Sequence, residues 1–398
     1  MEAENWCKNN FEIVLRINKE LLKMNKKEKI LICGILPPPN FGHSMMYKML
    51  MDSKFVDEFD IIFLNMKFWS YKQHKKVTID KLLKLIKYYL QYVFILIFKR
   101  PDYVLYNMSF YKMPFLKDFL FCFTANICRS KFIVHDLGQY LTELYNSSSP
   151  IIKKLVRWFV NHIEASIIMG ENVRKVYEGF VPQDRLFVVP GSCNDTADLK
   201  IDPLSVNKKK DEIVRVLYFS YLSVSKGIWT GLEAAKKVIE KNKEIRFTFA
   251  GPVESAELEE KIRDFIIGNK LEANIDIVGY VEGEYERTQY FRDCDIFIFP
   301  THRDVFGIVL LHAMAESKPV IASIEGTIPE IVDDGKTGLL FPVGDYIKLS
   351  ENILSLASDV GLRKEMGIAG RQNYLEKYSL KAYGKKMVRT VKDIGGLK

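Results

Sequence analysis

"DIFIFPTHRDVFGIVLLHAMAESKPVIAS", residues 295–323, sets two short apolar runs, DIFIFP and PVIAS, on either side of an apolar helical stretch that opens on Gly307. Strand, helix and strand in so few residues predict two parallel neighbours joined by a crossover helix. The intervening THRDVFG is polar and sits at the carboxyl end of its strand, where open parallel sheets bind ligands. A helix that starts there presents backbone amides without helical partners, a natural anion site.

The same alternation extends in both directions. Strands are predicted at 29–36, 60–65, 103–107, 131–135, 166–169 and 186–189, and again at 213–220, 246–251, 275–279, 295–300, 319–323 and 338–342. Short β-branched runs separated by helical stretches imply parallel sheets covered by helices on both faces. With 398 residues the chain exceeds what a single core supports. The polar stretch PGSCNDTADLKIDPLSVNKKKDE, 190–212, has no periodic apolar face and reads as a linker. The expectation is α/β: two Rossmann-like, doubly wound domains, 1–200 and 201–378, facing each other across a cleft. Residues 11–24, FEIVLRINKELLKM, form an amphipathic segment without assignable chemistry.

The N-terminus carries acidic residues where a signal peptide would have basic ones, and the six cysteines include no CxxC pair. Neither a zinc site nor a disulfide framework follows, and a reducing cytoplasm fits. No metal and no cofactor is called for. The Asp293–Asp295 spacing precedes its strand rather than following it, so it reads as a helix end and strand start.

Charge is uneven. Residues 1–200 hold 29 Lys and Arg against 20 Asp and Glu, and the remainder 29 against 30. Between Lys67 and Arg100 nine basic residues face the single acid Asp80. Within that stretch Leu82, Leu83, Leu85, Ile86, Tyr89, Leu90 and Val93 recur at helical spacing with lysines between them, too short and too polar to cross a bilayer. Two readings stand: a basic amphipathic helix on the anionic inner face of a membrane, or a half-buried helix with a solvated lysine face. Aromatics at base-stacking spacing are missing, so nucleic acid is not an expected partner.

The carboxyl-end loops carry the candidate chemistry. PPPNFGHS, 37–44, brings Asn40, Phe41 and Gly42 to the first helix start. VHDLG places His135 and Asp136 at the fourth strand's exit; a lone histidine there is as readily structural as functional. Lys226 stands before Gly227 at a helix entrance, where a cation opposes the helix dipole and calls for another purpose. The amides of Phe306, Gly307 and Ile308 are expected to point unpaired into the cleft opposite Lys226 and to hold a diphosphate between them. Asp304 and His312 lie eight apart, just over two helical turns, so both are expected to look toward one ligand.

DVFGIVLLHAMAESKPVIASIEGTIPEIVDDGKTGLLFPVGD, 304–345, resembles the signature of the GT-B fold, family 4 type retaining glycosyltransferases: E-G-F-G-x-x-x-x-E-A-M-A, a G-x-P-V strand, P-E-I-V and D-G-x-T-G-x-L. LSVSKG (222–227) resembles that family's R-L-x-x-x-K-G, FTFAGP (247–252) its strand and glycine turn, and VHDLG its His-Asp turn. The resemblance spans about residues 29–380. It implies transfer from a UDP- or GDP-sugar to a saccharide or lipid-linked acceptor in surface glycan synthesis, with retention and without metal. It also implies a final helix, within 379–398, that crosses back to the first domain.

Carried over position by position, the first acid of E-x7-E, which contacts sugar hydroxyls, falls on Asp304, and the ribose-gripping second Glu falls on His312. Lys226 matches the phosphate-binding lysine and His135 the histidine beside the reacting carbon. Donor contacts fall on Tyr221, Gly251, Pro252, Tyr280, Val281, Phe306, Gly307 and Ile308, and acceptor contacts on Asn40, Phe41, Gly42 and Asp136. Three positions depart from the family: Asp304 is a methylene short, His312 cannot accept two ribose hydroxyl bonds as a carboxylate does, and Tyr221 replaces the usual Arg. His312 and Tyr221 motivate the alternative of a catalytically weak homologue acting as a sugar-nucleotide-binding or partner subunit.

Overall fold

Strands buried on both faces read as nearly continuous apolar runs, and that is why all twelve expected ones form. The computed structural model describes residues 27–38, 42–67, 79–108, 110–138, 140–195 and 213–396. Strands β1 (Lys29–Gly34), β2 (Asp60–Asn65), β3 (Tyr103–Asn107), β4 (Lys131–His135), β5 (Ala165–Ile168) and β6 (Leu186–Val188) make a sheet of order β2-β1-β3-β4-β5-β6. Strands β7 (Val214–Phe219), β8 (Ile245–Ala250), β9 (Ile275–Val278), β10 (Ile296–Phe299), β11 (Val320–Ser323) and β12 (Gly338–Phe341) make a second, of order β12-β11-β10-β7-β8-β9. Every pairing is parallel.

Alternation along β1 sorts its side chains between two layers. Ile30 and Ile32 enter one buried cluster, with Met46 and Leu50 of helix α1 (Gly42–Asp52). Leu31 and Cys33 enter another, with Tyr92 and Leu96 of α2 (Ile79–Lys99), Phe121 of α3 (Lys112–Ile127) and Phe159 of α4 (Pro150–His162). The second sheet is covered in the same way by α5 (Ile228–Lys241), α6 (Ala256–Gly268), α7 (Glu284–Asp293), α8 (Ile308–Ala315), α9 (Tyr346–Ser358) and α10 (Val360–Asn373). The last helix, α11 (Leu380–Gly395), lies beside α1 and the short Phe55–Glu58 turn, with Lys392 Nζ 2.7 Å from Glu58 and Gly384 against Ser53.

Between the sheets the chain is held on its linker side. Arg371 of α10 bonds both carboxylate oxygens of Asp195 at 2.8 and 2.7 Å, and Tyr374 donates to the Cys193 carbonyl. The rest of the expected linker and the segment 11–24 lie outside the described residues.

α2 is half-buried, with apolar side chains on its outward side as well. Leu85, Tyr89, Tyr92 and Leu96 face the core, but Leu82, Leu83, Ile86 and Leu90 are exposed by about half or more. The single apolar face expected from 82 to 93 is therefore split. The outward side is not a solvated lysine face.

Candidate active site

In each sheet the chain starts near the middle, builds outward to one edge, then returns to build the other side. The point of reversal falls between β1 and β3 in the first sheet and between β7 and β10 in the second. Crevices open beyond the strand ends at such points. The loops leaving β7 and β10 carry Lys226 and Asp304, which are 78 residues apart in sequence.

Backbone bonds set these two loops against one another. The Ser225 carbonyl accepts the amides of His302 and Arg303 at 3.0 and 3.1 Å. Gly227 turns with φ +75°, and a Cβ there would lie 1.7 Å from the Pro300 carbonyl oxygen, so only glycine permits this approach. The result is an ion pair, Lys226 Nζ to Asp304 Oδ2 at 2.6 Å, with Nζ also 3.2 Å from the Arg303 carbonyl. Both side chains are mostly shielded, at 26% and 19% exposure.

The amides behave differently from expectation. Phe306 N and Gly307 N both donate to Asp304 Oδ1 at 3.2 Å, so they are not unpaired. The physical reason is the short side chain: an aspartate reaches back to the amides two and three residues on, as helix-capping residues do. Gly307, at φ +69°, is the left-handed residue before α8, and Ile308 is the helix's first residue. The Phe306 ring is buried beside Gly191 and Met169 rather than free in the cleft.

A cavity joins this corner to the first domain. Lys226, Asp304, Gly307 and Ile308 line one wall, and Gly42, His43, Tyr111, Asp136 and Gly138 line the other. Gly42, the start of α1, thus faces Lys226 and Asp304 across the cavity, while Asn40 and Phe41 lie outside the described residues. Asp136 is buried; its carboxylate accepts the Gly138 amide at 2.8 Å and the Tyr177 hydroxyl. Burial pushes its pKa up to about 7 against those two hydrogen bonds.

His135 is placed otherwise than expected. As the last residue of β4 it turns inward, is 1% exposed, and packs edge-on against Tyr47 at 5.6 Å instead of lining the cavity. Neither ring nitrogen has a hydrogen-bond partner, and burial, helped by nearby His43, lowers its pKa to about 3.

His312 lines a second, adjoining cavity, together with Glu284, Arg287, Asn194 and Phe219. It shares Gly42, Ile308 and Val309 with the first cavity but neither Lys226 nor Asp304. Asp304 and His312, expected to look toward one ligand, thus line two adjoining cavities that meet at Gly42, Ile308 and Val309. The imidazole stacks on Phe291 at 5.6 Å and is held neutral, with a pKa of about 3, by burial and then by the Arg287 charge.

Tyr221, Gly251, Pro252, Tyr280 and Val281 follow β7, β8 and β9 and so occupy the same carboxyl edge. They line neither cavity; Tyr221 and Tyr280 are 41% and 53% exposed. Among the described residues no group of three His, Cys, Asp or Glu side chains is arranged to hold a metal ion.

Two residues that span the domains had no sequence signal. Arg303 pairs with Glu143 at 2.8 Å and lies over the Tyr140 ring at 4.9 Å, beside the first cavity. Glu330 accepts the amides of Glu171 and Asn172 at 2.8 and 2.7 Å.

Comparisons with known proteins agree with this geometry. The profile of glycosyl transferases group 1 matches residues 202–373. An uncharacterized glycosyltransferase of Methanocaldococcus jannaschii is 33% identical over 157 residues, 38% of this chain and 44% of that one. The capsular polysaccharide biosynthesis glycosyltransferase CapM of Staphylococcus aureus is 28% identical over 164 residues, 41% of each chain. The chain thus covers less than half the length of these two relatives. Anabaena HepE, solved in complex with UDP and glucose, superposes with a TM-score of 0.67 at 14% identity, over 92% of this chain and 99% of that one. Residues 202–373 thus resemble the glycosyl transferases group 1, and the whole has the GT-B arrangement of two facing Rossmann-like sheets.

Proposed function

We propose that the chain transfers a sugar, with retention, from a nucleotide-sugar donor to a saccharide or lipid-linked acceptor in surface glycan synthesis. One observation carries the reading: Lys226, Asp304 and the glycine-led start of α8 meet at the reversal point of the second sheet, facing Gly42 and Gly138 across a cavity. Lys226 is the phosphate ligand. Its ammonium opposes the negative charge that grows on the leaving phosphate as the bond from anomeric carbon to phosphate oxygen breaks. The acceptor hydroxyl attacks the same face, its oxygen bonds the anomeric carbon, and its proton passes to the departing phosphate oxygen. Holding both partners in one cavity supplies the orientation such a step needs. Asp304 is the sugar-hydroxyl ligand, and leaves the Phe306 and Gly307 amides to the donor on binding.

HepE's complex with UDP and glucose makes UDP-glucose the first donor to test. The assay is nucleoside diphosphate release with a panel of UDP- and GDP-sugars, with Lys226→Ala as control. Turnover by the wild type and its loss in the variant is the expected result; no release and no thermal stabilisation by any donor rejects the reading. The self-capped amides favour a second reading, a binding or partner subunit. Stabilisation by donors without turnover would select it.

A further inference from the structure

We propose that the outer faces of α2 and α3 form one docking surface for a lipid bilayer containing anionic headgroups. Along α2 the residues Leu82, Ile86, Leu90, Phe94 and Ile97 follow helical spacing and are 49–62% exposed. Along α3 the residues Met113, Leu116, Leu120, Phe123 and Ile127 do the same at 41–70%. Of the 26 exposed large hydrophobic residues among those described, 13 lie on these two helices, so they form a patch rather than a scatter. Soluble monomers rarely leave a continuous apolar patch of this kind unless it meets a partner.

The two stripes share one plane. Tyr92 donates to the Phe121 carbonyl at 2.9 Å and Tyr89 meets Thr124 at 2.8 Å, which locks the helices side by side in one layer. No helix among the described residues is long and apolar enough to cross a membrane, so the surface would lie on a bilayer.

Charge selects the occupant. Lys84 and Lys87 flank the outward stripe of α2, and Lys99, Arg100 and Arg129 stand at the far ends of the two helices. The chain between Lys67 and Arg100 holds nine basic residues and one acid. Apolar side chains bordered by cations match acyl chains below anionic headgroups. A second copy of the same surface would instead set lysines against lysines.

Topology then links the surface to the cavity. α2 and α3 follow β2 and β3 in a parallel sheet, so both start at the carboxyl edge where the cavity opens. Tyr111 lines that cavity, and Met113, two residues on, begins the stripe of α3. An acceptor whose lipid lies in the bilayer would present its sugar or hydroxyl at the cleft mouth. This deepens, and rests on, the lipid-linked arm of the proposed function; the test uses neither donor nor acceptor, so its failure is distinct from failure of transfer.

The test is co-sedimentation of the full chain with vesicles of phosphatidylcholine alone or with about one part in three phosphatidylglycerol, at low and high salt. The wild type is expected to bind the anionic vesicles and to release at high salt. Leu90→Glu with Phe94→Glu alters exposed positions only, and should lower partitioning at least tenfold with an unchanged melting temperature. Lys84→Gln with Lys87→Gln should lower binding to anionic vesicles about twenty-fivefold, at about fivefold per lysine, and leave neutral vesicles unaffected. Wild-type protein that ignores anionic vesicles, or a Leu90→Glu, Phe94→Glu protein that binds them as well as wild type, overturns the proposal. So does a wild-type dimer that those glutamates convert to monomers without any vesicle binding.

Discussion

Replacing Lys226 by Met removes the ammonium but keeps most of the stem. In the structure that ammonium makes one ion pair, to Asp304 at 2.6 Å, and one bond to a carbonyl at 3.2 Å. A partly exposed pair of this kind contributes about 1 kcal/mol to stability. Asp304 also retains its two amide donors in the variant. The melting temperature should therefore fall by about 2–4 °C. Catalysis responds on another scale. Removing a preorganised group that stabilises charge in the transition state typically lowers kcat by 10²–10³, about 3–4 kcal/mol. The two measurements are steady-state release of nucleoside diphosphate and differential scanning fluorimetry on the same preparation. A variant that keeps more than about a third of the wild-type kcat/KM, where a loss of at least a hundredfold is required, refutes the role of Lys226. One that is unfolded at room temperature shows instead that the lysine is structural.

Asp304→Asn keeps an oxygen for the Phe306 and Gly307 amides but frees Lys226 and removes a negative charge; calorimetry should find UDP bound several-fold more tightly while transfer falls, and weaker binding would contradict the proposed exchange of partners. Gly227→Ala forces a Cβ to 1.7 Å from a carbonyl oxygen at positive φ, and should destabilise by about 3 kcal/mol or more in urea unfolding. His312→Glu, with Arg287 nearby to balance the new carboxylate, should tighten UDP about tenfold if position 312 meets the ribose, and weaken it if the second cavity serves another purpose. Stability should also fall with acid. Unfolded histidines take up protons below about 6.5, whereas His135 and His312 resist protonation until about 3, so each lowers stability as pH drops between those values. Asp136 works the other way, binding its proton in the folded state up to about 7. Between them these three groups amount over pH 4–6 to a net of about one proton, a contribution of about 1.4 kcal/mol lost per unit, which His135→Phe should remove in urea titrations at pH 5 and 6 compared with wild type.

How much of this was legible in the sequence depends on what each feature needed. The strands were legible because a parallel strand covered on both faces must be almost wholly apolar, as IFIF of β10 and VIA of β11 are. The pairing of loops after β7 and β10 was legible from their place at strand exits. Side-chain direction was not. His135 lies one residue before the chain leaves its strand, and that position decides between core and cleft. The self-capping of Asp304 depends on a reach of one methylene and a left-handed Gly307, neither of which leaves a trace in composition. On α2 the apolar period was visible, yet a helix with apolar residues on two opposite sides yields one pattern whichever side is buried.

The contacts between the two halves are unequal, and their inequality bears on where the halves would part. Asp195 is gripped by Arg371 while 8% exposed, and Glu330 clasps two main-chain amides of the opposite half. Beside the first cavity the link is Arg303 with Glu143, each more than half open to water. Such a pair breaks for little. A door hung on two firm pins and shut by a light latch can swing only one way: any parting of the halves would begin at the latch, beside the first cavity.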